Sequence, residues 1–298
     1  MDAPLEGIFP VLQTPFDNAG VIDPAGLTRQ VEACVAAGCH GLVYPVLGGE
    51  FQFLTSSERA CMVETVIHAA GGRVPVVAGV AGASPPIAVE HARHAAAAGA
   101  DAVIALPPFI GSPGREELAY YYRSIAAAAG MPVFIQHSGP GMDAGLLARL
   151  LHDIEQVEYI KEEMAPSAHH ISAVIEAAGD ACRGVFGGAH GRWMLSELRR
   201  GATGFMPAAE AVELHVGIWN AYQSGDCAGA RRLFNALLPL INFILLLGLR
   251  VCKEVLVRRG IIATATMRLP GATVLDAQDQ EELTSILEDL HPFLHTVD

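Results

Sequence analysis

Along the chain, short apolar runs alternate with longer segments in which alanine and polar residues mix. Most of the longer segments close on glycine, and an apolar run follows within a few residues. Val35-Ala36-Ala37-Gly38 leads to Gly41-Leu42-Val43-Tyr44, and Ala69-Ala70-Gly71-Gly72 leads to Val74-Pro75-Val76-Val77-Ala78. The pairing recurs at Ala96–Gly99 before Ala102–Leu106, at Ala127–Gly130 before Val133–Ile135, at Ala177–Gly179 before Cys182–Phe186, and at Leu198–Gly201 before Thr203–Met206. Glycine is the expected residue just past a helix end, where φ is positive. The spacing of roughly 25–33 residues is the length of one strand–helix unit. Helix starts are marked as well: Asp23-Pro24 pairs an N-cap with an N1 proline, and Thr55-Ser56-Ser57-Glu58 reads as a capping box. Ser84-Pro85 and Asp143 are further N-cap candidates.

The predicted strands are Gly7–Leu12, Gly41–Tyr44, Val74–Gly79, Ala102–Leu106, Val133–Gln136, Val157–Glu162, Arg183–Phe186 and Thr203–Met206, eight in all, each followed by a helix. Continuous apolar strands alternating with helices form a parallel sheet buried on both faces, and the count favours a closed (β/α)8 TIM barrel. An open doubly wound sheet is the alternative. It usually carries a glycine-rich phosphate loop after its first strand, and Gln13-Thr14-Pro15-Phe16 is not one. The barrel is expected over residues 1–224. Residues 225–298 are expected to form a helical extension packed on it, with helices at Ala228–Leu237, Leu240–Arg259 and Gln280–His291.

Composition narrows the function classes. The 298 residues are 51% hydrophobic, enough for a large core. A net charge of −13 argues against a nucleic-acid or anionic-membrane partner, both of which need basic surfaces. The six cysteines show no CxxC spacing, and no signal peptide is evident, so reduced thiols in a cytoplasmic protein are expected. The apolar run Leu237–Leu249 contains Pro239 and Asn242 and is too short for a bilayer core of about 30 Å, so it reads as a buried helix or a subunit interface.

In a barrel, chemistry belongs at the C-terminal ends of the strands. Val157–Glu162 delivers Lys161 there, before a turn at Met164-Ala165-Pro166. Lys161 and Lys253 are the only lysines in the chain. A lysine kept inside a predicted strand of so lysine-poor a sequence suggests work that arginine cannot do. Arginine keeps its proton to a pH above about 12 and does not attack carbonyls. Apolar strand neighbours favour the uncharged amine, which forms a Schiff base with a carbonyl substrate. The competing reading is a lysine solvated at a strand edge, and Lys253, on a C-terminal helix, reads as structural. His169-His170 and His91 with His94 could suggest metal; His91 and His94, three apart on a surface-facing pattern, lack the partner set of a zinc site and read as solvated, and no metal or cofactor is expected.

Taken together, these residues resemble the pyruvate-dependent class I aldolase family that includes dihydrodipicolinate synthase and N-acetylneuraminate lyase. The resemblance runs from Gly7-Ile8-Phe9-Pro10 and Thr14-Pro15-Phe16 through Gly49-Glu50, Leu54-Thr55 with Glu58-Arg59, Pro75–Val80, Ala98–Ala102, Pro107-Pro108 and Ile160-Lys161-Glu162 to Gly201–Gly204. It implies a barrel with a helical C-terminal extension, a homotetramer, a small 2-oxo acid substrate, and Lys161 as the Schiff-base lysine. The chain departs from the family in its proton relay. The loop after strand two, usually Gly-Thr-Thr-Gly-Glu, is Val46-Leu47-Gly48-Gly49-Glu50. The strand-five tyrosine is Gln136, the tyrosine lent by a neighbouring subunit is Ile110, and the synthase arginine beyond strand five is Gly141. These changes argue against dihydrodipicolinate synthase activity. Gln136 and the loop without threonine look more like the 2-keto-3-deoxy sugar-acid dehydratases, with 2-keto-3-deoxy-L-arabonate dehydratase as the type. The expected reaction is dehydration. An aldolase of the same family, or a silenced barrel that binds a 2-oxo acid, is the alternative.

The expected catalytic residues are Lys161, Gln136 and Glu50. Gln136 can bond substrate but has no titratable proton near pH 7. Glu50 is either a base or a brace that holds its loop through backbone N–H groups. Expected substrate contacts are Gly48 and Gly49 through their N–H groups, His137, Gly188 as a clearing beside the imine, Met206, and Glu163, which alternation places on the face of Lys161. The same alternation would turn His137 away from Gln136. His190 is a further candidate in the turn after strand seven.

Overall fold

The structure is a computed structural model that describes residues 3–139 and 141–294. Residues 295–298 of the expected extension lie outside the described residues. The eight strands are β1 (Gly7–Ile8), β2 (Leu42–Tyr44), β3 (Val76–Gly79), β4 (Ala102–Ala105), β5 (Val133–His137), β6 (Val157–Glu162), β7 (Gly184–Gly187) and β8 (Gly204–Phe205). They pair in parallel in the order β1-β8-β7-β6-β5-β4-β3-β2. A bridge between Val11 and Val43 closes the sheet between β1 and β2. The first strand is regular over a shorter stretch than expected. Pro10 has no N–H for the ladder, and pairing resumes at Val11, which bridges both Val43 and Ala208.

A helix follows each strand: α1 (Pro24–Ala36), α2 (Ser56–Ala70), α3 (Pro85–Ala98), α4 (Arg115–Ala129), α5 (Ala144–Asp153), α6 (Ser167–Ala178), α7 (Met194–Leu198) and α8 (Val212–Gln223). Three more come after these: α9 (Cys227–Leu247), α10 (Arg250–Arg258) and α11 (Ala277–Leu290). The capping box holds, with Thr55 Oγ1 accepting from Glu58 N at 3.2 Å and Glu58 Oε2 accepting from Thr55 N at 2.9 Å.

Alternation along the strands makes two apolar layers. One, between strands and helices, includes Val103, Ile135, Ile160 and Val185. The other fills the barrel interior with Phe9, Val43, Val77, Ile104, Phe134, Tyr159, Phe186 and Met206. Phe134 stacks on Tyr159 with centroids 4.5 Å apart, and Phe186 meets Phe134 edge-on at 5.2 Å. The interior is thus a packed floor beneath the strand ends, not a channel.

Two expectations change. The predicted helix break near Pro239 does not occur, and α9 runs unbroken to Gly248, where φ is 87°. Proline removes one intrahelical bond, but Phe234, Leu237, Leu240, Ile241 and Ile244 bury one face of α9 and outweigh that loss. Among the described residues, α9 is the one helix long and apolar enough to cross a membrane by length and composition. It lies against α8, α10 and α11. The second change concerns His91, which is buried rather than solvated. Ala88, His91, Ala92 and Ala95 share one buried stripe of α3. Burial, with Arg59 adding, pushes the His91 imidazole down to about 4.

Candidate active site

In the β5–β6 register, Gln136 faces Lys161 and His137 faces Glu162. Phe134 and Tyr159 lie in the interior layer, two residues before Gln136 and Lys161. Ile135 and Ile160, two residues before His137 and Glu162, lie in the outer layer. Gln136 and Lys161 therefore stand above the aromatic floor, whereas His137 and Glu162 face the helices.

Lys161 is 3% exposed. Glu163 continues the alternation past the end of β6 and brings Oε1 to 3.1 Å from Lys161 Nζ. Gln136 Nε2 donates to Glu163 Oε2 at 2.8 Å, and the Ser138 hydroxyl donates to the same oxygen. Ala189 N donates to Glu163 Oε1 at 3.2 Å. Burial raises the Glu163 carboxyl, but the Lys161 ammonium and these hydrogen bonds outweigh it and hold the group at about 2. Its folded value lies below the unfolded one. The pair therefore stabilises the fold above the usual carboxylate range, and that contribution is lost as pH falls through about 2.

Gly188 explains how the carboxylate fits. A Cβ there would lie 2.3 Å from Glu163 Oε1 and 2.4 Å from its Cγ. The glycine clears space for Glu163. Met206 closes the interior layer at the end of β8, with its N–H donating to Gly187 O at 2.9 Å.

Two expected site residues, His137 and Gly49, have their polar groups committed elsewhere. His137 is a helix-layer residue, with Nδ1 at 2.8 Å from Glu162 Oε2, and it does not reach into the barrel. Glu162 Oε1 also accepts from Met164 N at 2.8 Å, so this pair braces the strand ends behind Lys161. The Gly49 N–H, expected to meet a substrate carboxylate, donates to Val46 O at 2.8 Å within its own turn. Gly48 comes so close to β1 that a Cβ would lie 2.9 Å from Val11 Cγ1.

Glu50 is the largest correction. Its Oε1 is 2.6 Å from Lys253 Nζ, and its Oε2 accepts from Arg268 N at 2.9 Å and Leu269 N at 2.8 Å. Lys253 also donates to Thr266 O at 2.8 Å and lies 4.4 Å from the centre of the Phe16 ring. Both charged side chains are 1% exposed. A carboxylate so committed is a brace between the β2 loop and the C-terminal segment, not a base beside Lys161. Glu50→Ala strands the Lys253 ammonium in the interior. It should cost about 3–5 kcal/mol of stability in urea denaturation, because one partner of a buried ion pair is left uncompensated. The folded fraction should still react at Lys161.

The sequence reading passed over Ser138 and Gln13. Ser138 is two residues beyond Gln136, and Gln13 is two beyond Val11, so one more step of alternation finds both. The amide oxygens of Gln136 and Gln13 are buried without hydrogen-bond partners. A cavity of about 550 Å³ opens beside Ser138, lined also by Leu47, Phe109, Gly141 and Met142. His190 has left-handed backbone, with φ 57°. Burial pushes its imidazole down to about 4, with His215 and Lys161 adding and Glu163 opposing. It is neutral near pH 7 and is therefore a poor proton donor.

The chain is similar to known proteins over nearly its whole length. The profile of the Dihydrodipicolinate synthetase family matches residues 4–290. The chain is 30% identical over 295 residues to the L-2-keto-3-deoxyarabonate dehydratase of Azospirillum brasilense, covering 97% of this chain and 95% of that one. It is 31% identical over 287 residues to a 4-hydroxy-tetrahydrodipicolinate synthase of Methanothrix thermoacetophila, covering 94% of this chain and 95% of that one. Among solved structures it matches YagE, a prophage protein of the dihydrodipicolinic acid synthase family from Escherichia coli K12 in complex with pyruvate. The TM-score is 0.90 at 26% identity, covering 97% of this chain and 99% of that one. A closed barrel with a lysine at the end of its sixth strand, matched nearly end to end by these lyases, belongs to the dihydrodipicolinate synthetase family.

Proposed function

We propose that the chain is a Schiff-base lyase that dehydrates a 2-keto-3-deoxy sugar acid. The observation that carries this reading is the Glu163 carboxylate 3.1 Å from Lys161 Nζ. It supplies a proton carrier in a site that lacks the threonine and tyrosine hydroxyls of the synthase.

The Lys161 ammonium gives a proton to Glu163, and the freed amine attacks the substrate C2 carbonyl. The Glu163 carboxyl returns the proton to the carbinolamine hydroxyl, which leaves as water to give an iminium. The iminium draws electrons from C3, so the Glu163 carboxylate can remove a C3 proton and form an enamine. The same proton then goes to the C4 hydroxyl, which leaves as water. Loss of a C5 proton and its return at C3 move the double bond to C4=C5, an enol that becomes the C5 aldehyde; hydrolysis of the iminium consumes one water and frees Lys161, so the net loss is one water per substrate. A single carboxylate serves every step because each proton it takes is the one it next delivers.

The unpaired amide oxygens of Gln136 and Gln13 favour a substrate with hydroxyl donors, since a buried acceptor left unmatched is costly. The Azospirillum brasilense relative supports the same class. The aldolase alternative shares Lys161 and the enamine but breaks the C3–C4 bond. The test takes two separate samples: one is trapped with pyruvate and borohydride, and the other, untreated, is incubated with 2-keto-3-deoxy pentonates. A semialdehyde product supports dehydration, whereas free pyruvate means aldol cleavage. No adduct on Lys161 sinks both readings. We further place the protein in the cytoplasm as a homotetramer. Ile110 is 71% exposed and Tyr120 61% exposed near the loop after β4, a surface that another copy would cover. Light scattering at the mass of one chain would refute the tetramer.

Gly188→Ala tests the carboxylate without touching it. The new Cβ takes the space of Glu163, so turnover should fall about 10²-fold or more, toward the loss expected for a missing acid–base group. Pyruvate trapping on Lys161 should persist. Turnover within twofold of the unaltered chain would mean that the position of Glu163 is unimportant.

A further inference from the structure

Apart from the Lys161–Glu163 pair, donor atoms from three elements converge behind the β7 rim. His190 comes from the turn after β7, Glu210 from the turn before α8, and Cys252 from α10. Their ligand atoms all lie within 4.8 Å of one another. Glu210 is 1% exposed and Cys252 is fully buried. His190 Nδ1 and Glu210 Oε2 are both buried without a hydrogen-bond partner. Two orphaned polar atoms beside a thiol are costly in a protein interior, and one cation between them would satisfy both.

We propose that His190, Glu210 and Cys252 form a zinc-binding site. The donor set selects the ion. Imidazole nitrogen, carboxylate oxygen and thiolate sulfur suit zinc, whereas calcium and magnesium take oxygen ligands. Binding replaces the thiol proton, which goes to solvent, and no redox change occurs. One thiolate and one carboxylate neutralise the dication. Zinc bonds of about 2.0–2.3 Å place tetrahedral ligands roughly 3.3–3.6 Å apart, within reach of a cluster whose ligand atoms lie within 4.8 Å of one another. The fourth position is left for water. In the proposed site the Cys252 thiol bonds the Glu210 carboxyl while His190 Nδ1 has no partner; in the second such cluster among the described residues, His137, Glu162 and His170, the first histidine is already engaged. There His137 Nδ1 and Glu162 Oε2 already bond each other. Zinc at His190 would tie α10 to the turn whose Ala189 N–H holds Glu163.

The experiment uses the full chain with the exposed thiols removed as Cys61→Ser and Cys227→Ser, stripped with a chelator and titrated with zinc or cobalt. One ion per chain is expected, and the cobalt form should show a thiolate-to-cobalt charge-transfer band. Cys252→Ala should abolish the band and weaken zinc by at least about 100-fold. No binding by the stripped chain, or a band that survives Cys252→Ala, overturns the site. Should that variant fail to fold, the near-isosteric Glu210→Gln decides: zinc affinity equal to that of the parent overturns the assignment, and a loss of tenfold or more sustains it.

Discussion

Lys161→Ala will lose turnover by about 10⁴-fold or more, because the residue that bonds the substrate cannot be replaced by water or by a neighbour. Lys253, the other lysine, is held by Glu50 and Thr266 and cannot substitute. Lys161→Arg will fail nearly as completely, since a guanidinium keeps its proton and cannot form the imine. Neither variant should give an adduct with pyruvate and borohydride. The fold should survive with a measurable cost. Removing the ammonium leaves the Glu163 carboxylate with its bonds from Ser138, Gln136 and Ala189 but no counter-charge. Breaking a buried pair costs about 3–5 kcal/mol when the remaining charge stays. Without Lys161 the balance at Glu163 shifts toward burial, so its carboxyl rises and takes up a proton more readily. The deficit in urea denaturation should therefore be smaller at pH 5 than at pH 8. Turnover within tenfold of the parent would end the Schiff-base reading.

The barrel and its lysine were readable in the sequence for physical reasons. A parallel strand buried on both faces must be a continuous apolar run, and several helices, α2, α3 and α4 among them, stop where glycine permits positive φ. Alternation from Lys161 also reached Glu163. What escaped was side-chain partnership across long separations. Glu50 and Lys253 are 203 residues apart, and no periodicity links a loop carboxylate to a helix that folds back over it. The sequence left Glu50 as either a base or a brace because its loop lies at the rim, and the Lys253 partner on α10 favours the brace. The burial of His91 escapes the sequence for a local reason: in a helix as rich in alanine as α3, the buried and exposed faces carry similar residues. His190, Glu210 and Cys252 come from three elements with no motif spacing, so the sequence pointed to no metal there.

Glu163→Gln should separate imine formation from the proton transfers that follow it. The amide keeps the size of the side chain and an oxygen that can accept from Ser138. Lys161 is untouched, so borohydride trapping with pyruvate should still reach completion, though more slowly because the carbinolamine loses its acid. Turnover of the sugar acid should fall about 10²- to 10⁴-fold, the usual contribution of a positioned acid–base group. Exchange of the pyruvate methyl protons with deuterium oxide isolates the step. Exchange requires C3 proton removal from the iminium and nothing later, so it should slow by a similar factor while the adduct persists. The resting carboxyl, held at about 2, is ionised throughout the range from pH 4 to pH 8. The deficit of the variant should therefore be nearly constant across that range. Parental exchange rates in Glu163→Gln would assign C3 deprotonation to another group.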